Sequence, residues 1–401
     1  MRSRPVVGTV AGSDSGGGAG LQADLKTFTS LGTFGVTVVT SITAQNTEGV
    51  REVYPLPPSL VQSQLEAVIA DFDIRFVKTG VLPSEEVVEV LRNKVIERSL
   101  GLVLDPVLVA KSGQRLVGDQ VISAIRKLAS YSLILTPNIT ELELLSGRKV
   151  NDLPSMEEAA LSLSSSLGTN VLAKGGERSE GKDILIIDGR LSHLSSPRVE
   201  TKDTHGSGDV LSAAITSYLA KGNKLPEAVR EAKEFVTSSI VNSLRIGKGR
   251  GPVDPFASVE RLAHREMVRE ELEELVLRLE EMKELIIALL RTEDKANIGS
   301  ITPYQEVATL AGGIVRYMNW IKVDGPIVFG VENLVSSALR RTGAKVGLSI
   351  SLSERLLRNS ERYGLRMREN GPCDILMEGD KVVILAQNGR ELLEKLEVLA
   401  K

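Results

Sequence analysis

Through its first half the chain passes repeatedly from a short apolar run to a small or polar cluster and then to a helix-compatible stretch. This alternation constrains the fold more than any other feature. Val6-Val7-Gly8-Thr9-Val10 is a strand that enters the glycine-rich segment 11–20, and residues 21–31 suit a helix. The β-branched run 36–43 ends in Ala44-Gln45-Asn46-Thr47, a helix fits 60–70, and a strand at 74–78 leads into Thr79-Gly80-Val81. Ser84 caps a helix over 84–97, and the strand 102–104 ends in Asp105-Pro106-Val107. A helix at 121–128 precedes the strand 133–135, which ends in Thr136-Pro137-Asn138; the strand 171–173 ends in Lys174-Gly175-Gly176. The pattern predicts βαβ units and an α/β fold, with a mostly parallel sheet covered by helices on both faces. Such sheets bind ligands beyond the carboxyl ends of their strands, where all these polar clusters fall.

Thr204-His205-Gly206-Ser207-Gly208-Asp209 then stands before the apolar, helix-compatible run 210–215. Thr204 and Ser207 are both candidate N-caps, and the glycines let backbone N–H groups converge. A helix N-terminus of this kind binds anions. Asp209 beside such an anion would repel it unless it has a chemical task, and taking a proton from an attacking hydroxyl is one. The alternative is a capped helix after a glycine turn. Segment 11–20 matches neither the P-loop nor the dinucleotide fingerprint. It either lets a substrate ring lie close to backbone, with Asp24 one turn into the following helix, or is a flexible connection. Asn138 and Glu141 have the spacing of a capping box as well as of a site. Asp188-Gly189-Arg190 reads as a hairpin turn, and Lys233 lies on a helix over 226–244, where a solvent-facing lysine is the alternative.

The chain has 401 residues, enough for two domains, and a net charge of −3 that gives no footprint for nucleic acid. Cys373 is the single cysteine and there are three histidines, which excludes an intramolecular disulfide and disfavours a histidine- or cysteine-rich metal site. No apolar run reaches membrane-spanning length and the start lacks a signal-peptide layout, so a cytoplasmic location is expected. Glycine- and proline-rich residues 247–255 read as the end of a first domain, 1–255. A linker and long helix occupy 256–298, with the helix over 265–290. Val268, Leu272, Leu275, Leu279, Met282, Ile286 and Leu289 form a heptad seam that packs on the second domain or makes a dimer contact. The second domain, 299–401, reads as mixed α/β. A helix fits 302–317, a strand 327–330, a helix 333–341, a strand 346–352, a hairpin 375–385 and a last helix from 389.

The stretches Ala11-Gly12-Ser13-Asp14, 20–27, Ala44-Gln45-Asn46-Thr47, Asp105-Pro106-Val107 and Ala110-Lys111-Ser112-Gly113 resemble hydroxymethylpyrimidine/phosphomethylpyrimidine kinases. Thr136-Pro137-Asn138 with Glu141, Lys174-Gly175-Gly176 and 204–208 fit the same family, a thiamin-pathway member of the ribokinase-like superfamily. The resemblance implies a three-layer α/β/α domain, ATP with Mg²⁺, and two phosphorylations of 4-amino-5-hydroxymethyl-2-methylpyrimidine. By that resemblance Gly12, Asp24, Thr43, Gln45 and Val81 surround the pyrimidine, and Gly206, Ser207 and Gly208 form an anion hole beside the catalytic Asp209. Asp105 and Glu141 hold Mg²⁺ through water, and Asn138, Lys174 and Lys233 lie near ATP. Homo-oligomeric assembly is expected. The family usually carries cysteine at position 209, whereas ribokinase and many relatives carry aspartate. This departure keeps a pyridoxal-type substrate as an alternative, with a non-catalytic pyrimidine sensor as another; Gln45 within Ala-Gln-Asn-Thr favours hydroxymethylpyrimidine.

The second domain resembles the thiamin-phosphate synthase domain fused to such kinases in archaea, on Asn297-Ile298-Gly299-Ser300, 307–316 and Phe329-Gly330. The family's arginine after glycine is replaced in Gly312-Gly313-Ile314-Val315, and no histidine follows His264. This half is expected to be either a working synthase or a module that binds thiamin phosphate or a related ligand without turning it over.

Overall fold

The computed structural model describes residues 4–109, 115–179, 181–292 and 294–401, leaving aside the side chains of Glu177 and Arg178. The motif Ala110-Lys111-Ser112-Gly113 lies outside the described residues. The chain divides into two compact units, Met1–Ser258 and Val259–Lys401.

The first unit runs β1 (Val6–Asp14), α1 (Gly20–Ser30), β2 (Phe34–Asn46), β3 (Gly49–Pro55), α2 (Pro58–Asp71), β4 (Ile74–Thr79), α3 (Glu85–Arg98), β5 (Gly101–Leu104) and α4 (Asp119–Ala129). It continues with β6 (Ile134–Leu135), α5 (Ile139–Ser146), α6 (Leu153–Leu167), β7 (Asn170–Ala173), β8 (Lys182–Ile187), β9 (Arg190–Ser195), α7 (Ser207–Ala220) and α8 (Leu225–Val241). The strands form one sheet in the order β3-β2-β1-β4-β5-β6-β7-β8-β9. From β2 to β7 all pairs are parallel, and antiparallel strands extend both edges.

Side chains leave a strand on alternate faces, so each buried strand feeds two cores. Leu102 and Leu104 of β5 pack with α2 to α6, whereas Val103 between them packs with α7 and α8. Helix α4 shows why the outer layers form. Val121, Ile122, Ala124, Ile125 and Leu128 recur at helical spacing and are all buried. The result is the expected three-layer α/β/α arrangement. Because β1 lies between β2 and β4, the order of connection reverses there. Sheets of this kind bind ligands beyond the strand ends at such a reversal.

Strand β3 and helix α6 are additions to the sequence reading. In α6 the polar serines dilute the pattern, but Met156, Ala159, Ala160, Leu163 and Leu167 keep one buried face. Residues 247–255 do more than end a domain. They return to the start of the sheet, where Gly249 N donates to Thr47 Oγ1 at 3.1 Å and Arg250 N to Thr47 O at 2.9 Å. A Cβ on Gly249 would fall 2.0 Å from Thr47 O, so this approach requires glycine.

The second unit takes in nearly all of α9 (Ala257–Glu281), then α10 (Lys283–Leu289), β10 (Lys295–Ile301), β11 (Val307–Leu310), β12 (Gly313–Tyr317), β13 (Trp320–Asp324) and β14 (Ile327–Phe329). There follow α11 (Leu334–Thr342), β15 (Val346–Ser351), α12 (Glu354–Arg362), β16 (Met367–Arg368), β17 (Ile375–Glu378), β18 (Lys381–Ala386) and α13 (Gly389–Ala400). Its sheet runs β13-β12-β10-β15-β18-β17-β16, with β11 bridging β10 and β14.

Two expectations are corrected here. The helix expected over 302–317 is replaced by β11 and β12. Val307–Leu310 is buried at every position between β10 and β14, and Gly312-Gly313 would break a helix. The expected single long helix starts earlier and divides at Met282. Its seam residues Val268, Leu272, Leu275, Leu279, Ile286 and Leu289 are buried in the second unit's own core, which resolves the seam as internal packing.

Candidate active site

Two ion-pair clusters and one glycine turn meet at the carboxyl ends of the central strands. The first cluster is built on Lys78, the penultimate residue of β4. Its ammonium lies 2.8 Å from Asp24 Oδ1 and 3.5 Å from Asp209 Oδ1. Asp24 also accepts from Thr9 Oγ1 at 2.6 Å. Burial opposes the charge on Lys78, but the Asp24, Asp209 and Asp105 carboxylates overcome it and raise its pKa above the ordinary lysine value.

The second cluster is built on Asp105, just beyond β5. Oδ1 accepts from Lys174 Nζ at 3.0 Å and Thr136 Oγ1 at 3.0 Å, and Oδ2 accepts from Ser212 Oγ at 3.2 Å. Its backbone N–H donates to Thr79 Oγ1 at 3.0 Å, so β4, β5, β6, β7 and α7 all converge on one residue. Glu141 completes a capping box, accepting from Asn138 N at 2.8 Å while Glu141 N donates to Asn138 Oδ1 at 3.0 Å. Burial pushes the Glu141 carboxyl up to about 7, with Lys174 opposing the rise and Asp105 adding to it. The same partners, Asp105 and Glu141, hold Lys174 above the usual lysine range against its own burial.

The turn at 204–209 lies against both clusters. Gly206 is the N-cap of α7 with φ +77°, and a Cβ there would stand 1.8 Å from Gly18 O. Neither Thr204 nor Ser207 is the cap, in contrast to the sequence reading. Ser207 N donates to Thr204 O at 3.3 Å, so the N–H groups left for an anion are those farther into the first turn. A Cβ at Gly208 would lie 3.5 Å from Lys174 Nζ and 3.8 Å from Asp105 Oδ2. Asp209 lies in that same first turn, its side chain 16% exposed.

Asp14 organises the glycine-rich loop. Oδ1 accepts from Gly16 N at 2.8 Å; Oδ2 accepts from Gly18 N at 3.1 Å and Ala19 N at 2.8 Å, with His205 Nε2 at 3.2 Å. Burial works against its charge, yet these hydrogen bonds bring its pKa below the ordinary aspartate value. Beside it, Gln45 is anchored through backbone bonds to Ser15 Oγ, and its amide lies between Thr43 and His205.

The phosphomethylpyrimidine kinase family model matches residues 14–254. The chain belongs to the phosphomethylpyrimidine kinase family. The hydroxymethylpyrimidine/phosphomethylpyrimidine kinase of Haemophilus influenzae is 44% identical over 257 residues, 62% of this chain and 96% of that protein. The thiamine biosynthesis bifunctional protein ThiED of Geobacter sulfurreducens is 43% identical over 261 residues, 64% of this chain; the match spans about half of that relative, 53%. Among solved structures, an ADP complex of Bacillus subtilis pyridoxal kinase superposes with a TM-score of 0.61 at 34% identity, covering 64% of this chain and 99% of that one.

Within this kinase-family unit, a Cβ on Gly12 would stand 2.7 Å from Ser41 Oγ and 3.8 Å from Val81 Cβ. Thr43 and Gln45 stand beside them on β2. Asp24 is not open to a substrate as expected. Its side chain has no exposed surface and is spent on Lys78 and Thr9. Lys233 is not solvent-facing. It pairs with Asp183 at 2.5 Å, and Asp183 accepts from Gly175 N at 3.0 Å, so Lys233 braces the 174–176 turn from behind.

Sequence reasoning missed Lys78, which sat unremarked at the end of a strand. A lysine inside an otherwise apolar parallel strand is the signal that could have found it. Ser212 and Asp183 were also missed, because their importance depends on chain crossings that local spacing does not reveal. In the second unit, Arg316 stands on β12, three residues beyond Gly313. Its guanidinium donates to Ile287 O, Leu290 O and Met318 O, closing the end of α10.

Proposed function

We propose that the first unit transfers a phosphoryl group from ATP to the hydroxyl of 4-amino-5-hydroxymethyl-2-methylpyrimidine, and then phosphorylates the monophosphate to the diphosphate, as a step of thiamin biosynthesis. The observation that carries this reading is the meeting of Asp209, the α7 N-terminus and the Asp105–Lys174 pair at one strand edge, in a chain of this family. Asp209 takes the hydroxyl proton as general base. The N–H groups of the α7 first turn beyond Ser207, beginning with Gly208, stabilise the transferring phosphoryl oxygens, where positioning and electrostatics matter more than covalent chemistry. Lys174 and the Asn138 amide NH₂ face the ATP phosphates.

Among the described residues no group of three His, Cys, Asp or Glu side chains could hold a metal directly. Asp105 and Glu141, already hydrogen-bonded, fit the outer-sphere role expected for Mg²⁺, which keeps waters and shares phosphate oxygens. Bound there, the ion would neutralise phosphate charge. The decisive experiment is an ATP-dependent assay of the full chain with hydroxymethylpyrimidine, its monophosphate and pyridoxal. Faster turnover of the pyrimidines supports the proposal, and preferred turnover of pyridoxal overturns it.

For the second unit we propose a module that binds thiamin phosphate or a related ligand without synthesising it. Support comes from glycine at position 313, the absence of histidine after His264, and the engagement of Arg316 with backbone carbonyls. A bifunctional enzyme is the second reading, favoured by relatives of that description such as the Geobacter protein. Supplying the full chain with pyrimidine diphosphate and thiazole phosphate separates the two, since steady thiamin phosphate formation would sink the first.

A further inference from the structure

The Gln45 amide places one heavy atom 3.4 Å from Thr43 Oγ1 and the other 3.2 Å from His205 Nε2. As oriented, Oε1 faces Thr43 and Nε2 faces His205. Oxygen and nitrogen exchange places when the amide turns over, so proton counting decides between the two arrangements. Two independent counts agree.

The first count concerns Thr43. Its hydroxyl has one proton, and Ser13 O takes it at 2.9 Å. Toward Gln45 the Thr43 oxygen can therefore only accept, and the group facing it must be the amide NH₂. The second concerns His205. Nε2 lies 3.2 Å from Asp14 Oδ2, an ionised oxygen that already accepts two backbone N–H bonds. A bare Nε2 would set a lone pair against this carboxylate, so Nε2 carries a proton. An N–H at that position cannot accept from an amide NH₂, and the group facing it must be the amide oxygen. The turned amide donates to Thr43 Oγ1 and lets its oxygen share the one His205 Nε2 proton with Asp14 Oδ2 in a three-centre bond, whereas the orientation with the amide Nε2 toward His205 satisfies neither contact.

We infer that His205, held by Asp14 as an Nε2–H donor, fixes the orientation of the Gln45 amide and thereby which way round a heteroaromatic substrate enters. This rests on the pyrimidine kinase reading and specifies how its ring is recognised. The turned amide keeps one oxygen lone pair free on the His205 side and one N–H free on the Thr43 side. A 4-aminopyrimidine offers the complement, an amino donor next to the ring N3 acceptor. Its amino group then lies toward His205, and so does the neighbouring hydroxymethyl carbon. His205 belongs to the same turn as Asp209, so this orientation brings the reactive hydroxyl toward the base. The reversed amide would carry it away. His205 is a positioning residue that sets specificity without taking part in the transfer.

The test compares 4-amino-5-hydroxymethyl-2-methylpyrimidine with the same ring lacking the amino group. Wild type should favour the amino compound in kcat/KM by about tenfold or more. His205→Met, which cannot donate, should lose most of that preference while keeping the KM for ATP, and His205→Gln, which retains a terminal N–H, should recover it. Undiminished preference in His205→Met overturns the inference. A measurement on the unaltered protein covers the case of a variant that does not fold. With three histidines in the chain, ¹⁵N shifts of each ring can be assigned, and His205 should carry its proton on Nε2. A bare Nε2 also overturns the inference. If wild type phosphorylates neither pyrimidine, the functional reading fails and the tautomer alone decides this one.

Discussion

Lys78 Nζ lies 2.8 Å from Asp24 Oδ1, and both side chains are wholly enclosed. The pair joins β4 to α1, and through Asp209 it reaches α7. Removing one partner of a buried pair leaves the other charge uncompensated, which costs about 3–5 kcal/mol. Lys78→Met should lower the stability of the first unit by that order in urea unfolding followed by a probe in this unit. The double variant with Asp24→Asn should recover part of the loss. Equal stability of Lys78→Met and wild type would contradict the enclosed ion pair.

Asp209→Asn preserves size and hydrogen bonding but removes the base. Transfer should fall roughly 100-fold or more, the range general-base loss produces. Calorimetric titration should still detect ATP and pyrimidine. Near-normal turnover would remove Asp209 from the mechanism.

Gly206→Ala tests the contact between the α7 cap and the glycine-rich loop. A methyl group at φ +77° is strained by about 1–2 kcal/mol, and it would also collide with Gly18 O. Turnover should collapse together with thermal stability. A fully active variant would mean that the two loops need not touch.

Lys233→Met should raise the KM for ATP several-fold and leave the KM for the pyrimidine unchanged, because Lys233 acts on the 174–176 turn through Asp183. A change in the pyrimidine KM alone would refute this route.

Glu141 supplies a pH dependence whose sign is fixed. Its folded pKa, about 7, lies above the ordinary glutamate value of 4.5, so the folded chain holds a proton that the unfolded chain releases. The resulting stability is present below 4.5 and is lost as pH rises through about 7. Glu141→Gln should therefore gain in melting temperature relative to wild type between pH 5 and pH 8, by roughly 2–4 °C per kcal/mol. A difference that shrinks over this range would reverse the assignment.

Much of the first unit was legible because its helices and strands have clean periods and nearly every strand ends in a distinctive cluster. Asp105, Gly208 and Asp209 could be placed at one edge from such endings alone. Asp24 could not. Its position in α1 was right, but whether a carboxylate faces a crevice or a buried ammonium depends on what the neighbouring strand carries, and Lys78 is 54 residues away. The second unit was harder to read at 302–317, where a continuously buried tetrad, Val307–Leu310, between two strands looks locally like a turn of buried helix.

The bonds between Thr47 and residues 249–250 have a consequence for synthesis as well as for shape. His205 is clasped by backbone bonds to Gly251 and Val253, and Gly206 is seated on Gly18. A nascent chain that has all nine strands of the first sheet but has not released residues 247–255 lacks the segment that holds His205 in register. Contacts of such long sequence separation form late. The backbone clasp on His205 is therefore completed only at the end of translation of this unit, and a chain truncated shortly before that point would contain every candidate catalytic residue without the segment that holds His205 in place.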